Sequence, residues 1–186
     1  MAARPRIVIL GDSITAGYGL SREEAYPAVL QRKIDAAHLQ YEVVNAGLSG
    51  DTTAGGLRRV DWALSAGAKV LVIALGGNDG LRGLPPKQTE ANIAAIIKKA
   101  REKVPGITVL VAGMQMPASM GAEFAQAFGA LFPHVAGENG AALIPYLLKD
   151  VGGIPSLNQP DYIHPTAAGQ KIVAENVWAV LKTALN

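Results

Sequence analysis

Ile7-Val8-Ile9-Leu10-Gly11-Asp12-Ser13-Ile14-Thr15-Ala16-Gly17 is the stretch on which the reading of the fold turns. Its continuous apolar run predicts a strand covered on both faces, and the Gly-Asp-Ser turn ends that run abruptly. A serine hydroxyl is thereby placed just past the carboxyl end of an early strand. In open parallel α/β sheets, ligands bind in the crevice beyond those ends.

Working outward, apolar runs of the same kind recur at residues 42–44, 70–75 and 107–111, with a weaker fifth at Ala142–Ile144. Amphipathic segments fill the gaps between them. Pro27 suits a helical first turn, with Leu30, Ile34 and Ala37 following on one face. Leu57, Val60 and Leu64 recur at helical spacing, and Ile93, Ile96, Ile97, Ala100 and Val104 form the clearest stripe, closed by Pro105-Gly106. A further helix is expected within residues 121–135, carrying Phe124, Phe128 and Leu131. A last one opens at His164-Pro165-Thr166 and turns Val173, Val177, Val180 and Leu181 inward. Strand and helix alternate throughout, which predicts a doubly wound α/β sandwich with right-handed crossovers. No repeat, low-complexity tract or linker marks a second domain, so residues 1–186 read as one. The longest irregular stretch, residues 150–162, has a length that is often functional.

Composition narrows the function. Lys plus Arg number 17 against 15 Asp plus Glu, with no block of like charge, so neither nucleic acid nor an anionic membrane surface is indicated. With no cysteine, disulfides, thiolate metal sites and cysteine nucleophiles are excluded. No apolar run approaches the roughly 20 residues of a membrane span. The start of the chain enters the first strand without a signal-like apolar segment. A cytoplasmic location is expected, or a periplasmic or secreted one if a leader was removed; the sequence does not indicate an oligomeric state.

Every strand end leads into polar or glycine-rich sequence: Gly11-Asp12-Ser13, then residues 45–52 (NAGLSGDT), then Gly76-Gly77-Asn78-Asp79-Gly80, then Gly113-Met114-Gln115-Met116-Pro117. In a parallel sheet these turns share one edge, and that convergence says more than any one of them. A lone serine after a glycine turn is more often a helix cap, and Ser13 lacks the Gly-x-Ser-x-Gly elbow of the α/β-hydrolase fold. Asn78 suits an ordinary Asn-Asp-Gly turn, or else an amide donor aimed at a developing oxyanion. Gly50 permits a turn, or offers its N–H at the start of a helix near Thr52, where anionic charge is favoured. Gly47 competes for that role. Asp161-Tyr162-Ile163-His164 reads either as a helix start or as an aspartate orienting a histidine whose other ring nitrogen takes the Ser13 proton. His38, in an expected surface helix, and His134, late in another helical segment, read as structural. Asp12, Asp51 and Asp79 lack metal-ligand spacing and read as loop hydrogen-bonding groups.

Gly11-Asp12-Ser13, Ser49-Gly50-Asp51-Thr52, Gly76-Gly77-Asn78-Asp79 and Asp161-x-x-His164-Pro165 together resemble the four blocks of the SGNH, or GDSL, hydrolases, in order and across nearly the whole chain. Residues 75–83 (LGGNDGLRG) are particularly like the small bacterial branch of arylesterases and thioesterase I/lysophospholipase L1. The resemblance implies a three-layer α/β/α flavodoxin-like sandwich on a five-stranded parallel sheet. It also implies Ser13 as nucleophile, His164 as base, Asp161 as its partner, and an oxyanion hole of the Ser13 and Gly50 N–H groups with the Asn78 side chain. It thus favours Gly50 over Gly47. One departure is Ile14 where the family name has leucine, a volume-conserving change.

The expected chemistry is acyl transfer from a small-molecule ester or thioester to water through an acyl-serine, without a metal or organic cofactor. Leu81, Leu84, Met116, Pro117 and Met120 are expected to shape an apolar acyl groove. The alternative of another class is a non-catalytic flavin- or phosphate-binding flavodoxin-like module, which leaves Asn78 and the Asp161–His164 pair without a role.

Overall fold

The computed structural model describes residues 3–185. Five strands, β1 (Arg6–Gly11), β2 (Glu42–Gly47), β3 (Val70–Ala74), β4 (Thr108–Ala112) and β5 (Ala142–Ile144), form one parallel sheet in the order β2-β1-β3-β4-β5. β1 is paired on both sides, Ile7 standing opposite Val43 in β2 and Val70 in β3. Its unbroken apolar run follows from that position, since residues 7–10 and 70–75 are wholly buried. The edge strand β2 is half-exposed instead, and Gln31 covers part of its free edge by accepting the Val43 N–H at 2.7 Å and donating to the Tyr41 carbonyl at 3.1 Å.

The helices are α1 (Ser13–Ala16), α2 (Tyr26–Ala36), α3 (Thr53–Ala63), α4 (Gly77–Leu81), α5 (Pro86–Lys103), α6 (Ala122–Glu138) and α7 (Ala167–Leu181). α2 packs with α7 in one layer, and α3, α5 and α6 pack in sequence in the other. This is the three-layer α/β/α sandwich expected from the sequence. The chain leaves β1 toward β2 and later returns to β3 on the opposite side. The crevice beyond β1 and β3 is therefore the topological switch point where such folds bind ligands.

Boundaries differ from the sequence expectations in places. β2 runs on to Gly47 because Asn45 and Gly47 occupy a sheet edge that tolerates polar residues. β4 is Thr108–Ala112, one residue later than residues 107–111, and Leu75 lies just beyond β3. Ala37 is the exposed C-cap of α2, and His38 stands past the helix in a left-handed conformation (φ 57°). α6 continues through Pro133 to Glu138. An interior proline costs about 3 kcal/mol, but Phe128, Leu131, Phe132 and Val135 are all buried, and each such burial contributes about 1.5–3 kcal/mol. Packing wins. α7 begins at Ala167, with the Thr166 hydroxyl accepting the Gly169 N–H at 3.2 Å. Pro165 instead bridges to Asn158, and Val180 is only half-buried.

Candidate active site

The serine turn is held from below by buried polar contacts. Asp12 is the N-cap of α1, its Oδ1 accepting the Ile14 N–H at 3.0 Å. Thr15 and Tyr26 share a hydroxyl–hydroxyl hydrogen bond of 2.7 Å. Gln170, from α7, donates to the Ile14 carbonyl at 3.0 Å and accepts the Tyr26 N–H at 2.9 Å. Gly11 has to be glycine, because a Cβ there falls 2.0 Å from Thr15 Oγ1. The serine is thus presented on a short, fully braced turn.

Ser13 Oγ lies 2.8 Å from His164 Nε2, and His164 Nδ1 lies 2.6 Å from Asp161 Oδ2. The other carboxylate oxygen, Oδ1, accepts the backbone N–H groups of Ile163 (2.9 Å) and His164 (3.0 Å). That turn requires Tyr162 in the left-handed region (φ 59°), an uncommon state for a bulky residue. The His164 backbone N–H, its ring N–H and the Ile163 N–H together hold the Asp161 carboxyl down at about 2. An ionised Asp161 can only accept, so Nδ1 carries the ring proton and donates it in a hydrogen bond, and Nε2 is left as the acceptor facing the serine hydroxyl. The Tyr18 ring packs 4.5 Å from the imidazole, centre to centre. Gln159 ties the two loops together, donating to the carbonyls of Tyr18 (2.8 Å) and Pro165 (3.0 Å).

The neighbouring strand-end turns on the same sheet edge carry further donors. Asn78, in the first turn of α4, uses one amide hydrogen on the Asp51 carbonyl at 2.8 Å and keeps the second. The N–H groups of Ser13 and Gly50 have no hydrogen-bond acceptor among the described residues. Gly50 owes its identity to backbone conformation (φ 81°) rather than crowding, because a Cβ there meets nothing closer than Arg82 at 4.0 Å. Gly47 differs: its N–H donates to Asn45 Oδ1 at 2.9 Å, and a Cβ would lie 2.4 Å from the Ala16 nitrogen. Its amide is spent and its smallness serves packing. Asp79 binds both the N–H and the hydroxyl of Thr53, docking α4 onto the start of α3.

Asp12 is the electrostatically expensive residue here. Burial pushes its carboxyl up from 3.8 to about 6, against the Ile14 N–H and the His164 ring, which draw it down. The folded state therefore binds the proton more tightly than the unfolded chain, and stability falls as pH rises from about 4 to about 6, then levels. The full effect is about 3 kcal/mol, at 1.36 kcal/mol per unit. Asp161 acts in the opposite sense but only below 3.8. Asp12→Asn, which keeps an acceptor for Ile14, should therefore be more stable than the parent by about 1–3 kcal/mol at pH 8 and equal to it near pH 4. Urea unfolding at the two pH values reads this, and equal gains at both would assign the effect to something other than ionisation.

An apolar groove of about 390 Å³ opens beside the serine turn, walled by Ile14, Leu81, Met116, Pro117, Tyr146 and Tyr162 among others. Leu81, Met116 and Pro117 line it. Leu84 and Met120 do not line it: Leu84 is drawn back by its N–H bond to the Asp79 carbonyl, and Met120 ends a short 3-10 turn, Ala118–Met120. Tyr146, Leu148, Tyr162 and Ile163 were missed. They come from irregular segments after β5 with no periodicity to mark them.

Residues 9–172 match the GDSL-like Lipase/Acylhydrolase family. The chain belongs to that family. As a GDSL-family acylhydrolase it is a carboxylic-ester hydrolase. It is 43% identical to the esterase TesA of Pseudomonas aeruginosa, over 99% of this chain and 91% of that protein. It is 36% identical to the thioesterase 1/protease 1/lysophospholipase L1 of Escherichia coli K12, over 100% of this chain and 87% of that one. Among solved structures, a crystal structure of TesA superposes with a TM-score of 0.92 at 41% identity, covering 97% of this chain and 99% of the other. No helix among the described residues of this GDSL-family chain is long and apolar enough to cross a membrane.

Proposed function

We propose that this hydrolase cleaves small esters and thioesters with apolar acyl groups through a covalent acyl-serine at Ser13. The observation that carries the reading is the continuous path from Ser13 Oγ through the His164 ring to Asp161. His164 Nε2 takes the hydroxyl proton as Oγ attacks the carbonyl carbon. The oxyanion that forms accepts from the Ser13 and Gly50 N–H groups and the second Asn78 amide hydrogen. His164 then delivers its proton to the departing alkoxide or thiolate, leaving acyl-Ser13. Water, deprotonated by the same nitrogen, attacks the acyl carbonyl and releases the acid. No step calls on a cofactor. The acyl chain lies in the groove beside Ile14, and the names of the relatives, an esterase and a thioesterase/lysophospholipase, agree with that substrate class.

A fluorophosphonate should label the protein once, at Ser13, and Ser13→Ala should take no label while retaining its fold. Peptide mapping by mass spectrometry locates the adduct. Labelling elsewhere, or full activity on a p-nitrophenyl ester in Ser13→Ala, overturns the reading.

A further inference from the structure

Arg59 sits on α3 beside Arg58, and no motif in the sequence singles it out. In the structure its side chain is only 17% exposed and each of the three guanidinium nitrogens donates a hydrogen bond. Nε donates to Asp51 Oδ2 at 2.6 Å, Nη1 to the Ala46 carbonyl at 2.7 Å, and Nη2 to the Gly11 carbonyl at 2.8 Å. These acceptors come from three places: the end of β1, the end of β2, and the turn that follows β2. Charge-assisted bonds this short are among the stronger ones a protein makes.

Two of the three acceptors, Gly11 and Asp51, lie next to the residues read above as oxyanion donors. Gly11 leads through Asp12 into the Ser13 N–H, and its carbonyl also receives the Leu48 N–H at 3.0 Å. Asp51 follows Gly50, so clamping its carboxylate fixes the peptide that presents the Gly50 N–H. The Asp51 carbonyl accepts Asn78 Nδ2 at 2.8 Å, which orients the Asn78 amide. The carboxylate also accepts the Thr52 N–H at 3.1 Å. Gly55 leaves room for it: a Cβ there would lie 1.7 Å from Asp51 Oδ1. The three donors arrive on three separate strand-end turns, and Arg59 is the group that touches two of those turns and, through Asp51, bears on the third.

We propose that Arg59 is a positioning residue whose guanidinium sets the spacing of the Ser13, Gly50 and Asn78 donors, and so the fit of the oxyanion hole to the transition state. This rests on the oxyanion-hole reading given above. A lysine cannot replace it, because an ammonium is a point charge without the planar fork needed to reach three acceptors at once. Misplacement of such donors by as little as ~1 Å can cost on the order of 10²-fold in rate.

The test compares Arg59→Lys, Asp51→Asn and Asn78→Ala, with active sites counted by fluorophosphonate labelling so that kcat is expressed per competent site. Arg59→Lys should lower kcat about 10- to 10²-fold with KM within about threefold. A boronic acid that forms a tetrahedral adduct on Ser13 should weaken in parallel with kcat, since it uses the same donors. Asp51→Asn, which removes the charge at the other end of the clamp, should move in the same direction even if Arg59→Lys folds poorly. Asn78→Ala should lower kcat by roughly 10²–10³. If Asn78→Ala keeps the parental kcat, the oxyanion-hole reading itself falls. If Asn78→Ala is impaired while Arg59→Lys and Asp51→Asn keep parental kcat and boronate affinity per labelled site, Arg59 is structural only and the proposal is overturned.

Discussion

His164→Ala should lower kcat by about 10⁵- to 10⁶-fold, with much less change in KM, the scale seen when a base acting as one unit with its nucleophile is removed. The imidazole makes the only side-chain hydrogen bond to Ser13 Oγ among the described residues, so no neighbour is placed to take over the proton. The fold should survive. The backbone bonds that shape the loop, from the His164 N–H to Asp161 and from the Gln159 N–H to the His164 carbonyl, do not involve the ring. The two other histidines are the controls. His134 pairs with Glu90 at an exposed position on α6, where an ion pair is worth about 0–1 kcal/mol and touches nothing in the site. His38 holds a left-handed backbone, so His38→Asn is the better control than alanine. Both should hydrolyse a p-nitrophenyl ester at the parental rate under the conditions in which His164→Ala is silent. Comparable losses at either control position would make the assignment of the base wrong.

Asp161→Asn should lower kcat by up to roughly 10⁴-fold, the drop seen when the aspartate of a serine-protease triad is so changed. The reason is local. An asparagine keeps an oxygen for the Ile163 and His164 N–H groups, so the turn stands, but it presents an NH₂ where Oδ2 met the ring. The ring must then accept at Nδ1, which places its proton on Nε2, facing Ser13. The base becomes a donor. Because the wild-type carboxyl is held at about 2, it remains ionised throughout the range in which esters are assayed, and no acid limb above pH 4 belongs to it. The measurement is kcat at saturating ester together with the thermal midpoint. An unchanged midpoint with a loss below about tenfold would show that the backbone contacts alone fix the tautomer.

Much of this arrangement is legible in the sequence, and the parts that are not share a cause. A continuous apolar run ending in Gly-Asp-Ser speaks for itself, because strand burial and turn chemistry are both local. Once the sheet is parallel, the turns carrying Ser13, Gly50 and Asn78 must gather at one edge. The choice between Gly47 and Gly50 is not local: it rests on Asn45 occupying one amide and leaving the other free, and the family resemblance favoured Gly50 where spacing could not. The walls of the groove were half missed because Tyr146, Leu148, Tyr162 and Ile163 lie in irregular chain, where neither period 2 nor period 3.6 marks a facing side. Arg59 was invisible for a related reason. Its acceptors are 8, 13 and 48 residues away, and two of them are backbone carbonyls that carry no side-chain signal. The start of α7 was placed three residues early because His164-Pro165-Thr166 resembles a helix entrance, whereas the first two of those residues are held in the loop by Asp161 and Asn158.

The bonds that complete the site join the two ends of the chain: Ser13 to His164 across 151 residues, Tyr18 to Gln159 across 141, and Ile14 to Gln170 across 156. Closing a loop of about 150 residues costs on the order of 4–5 kcal/mol of chain entropy, several times what one hydrogen bond returns, about 0.5–1.5 kcal/mol. The serine and histidine therefore cannot find each other by their own attraction; the docking of α7, through buried Val173, Ala174, Val177 and Leu181, brings them together. A nascent chain that has left the ribosome only as far as β5 already carries Ser13, Gly50 and Asn78 yet lacks His164. On the proposed mechanism, the serine stays dormant through most of synthesis, and hydrolytic competence waits for α7 to emerge and dock.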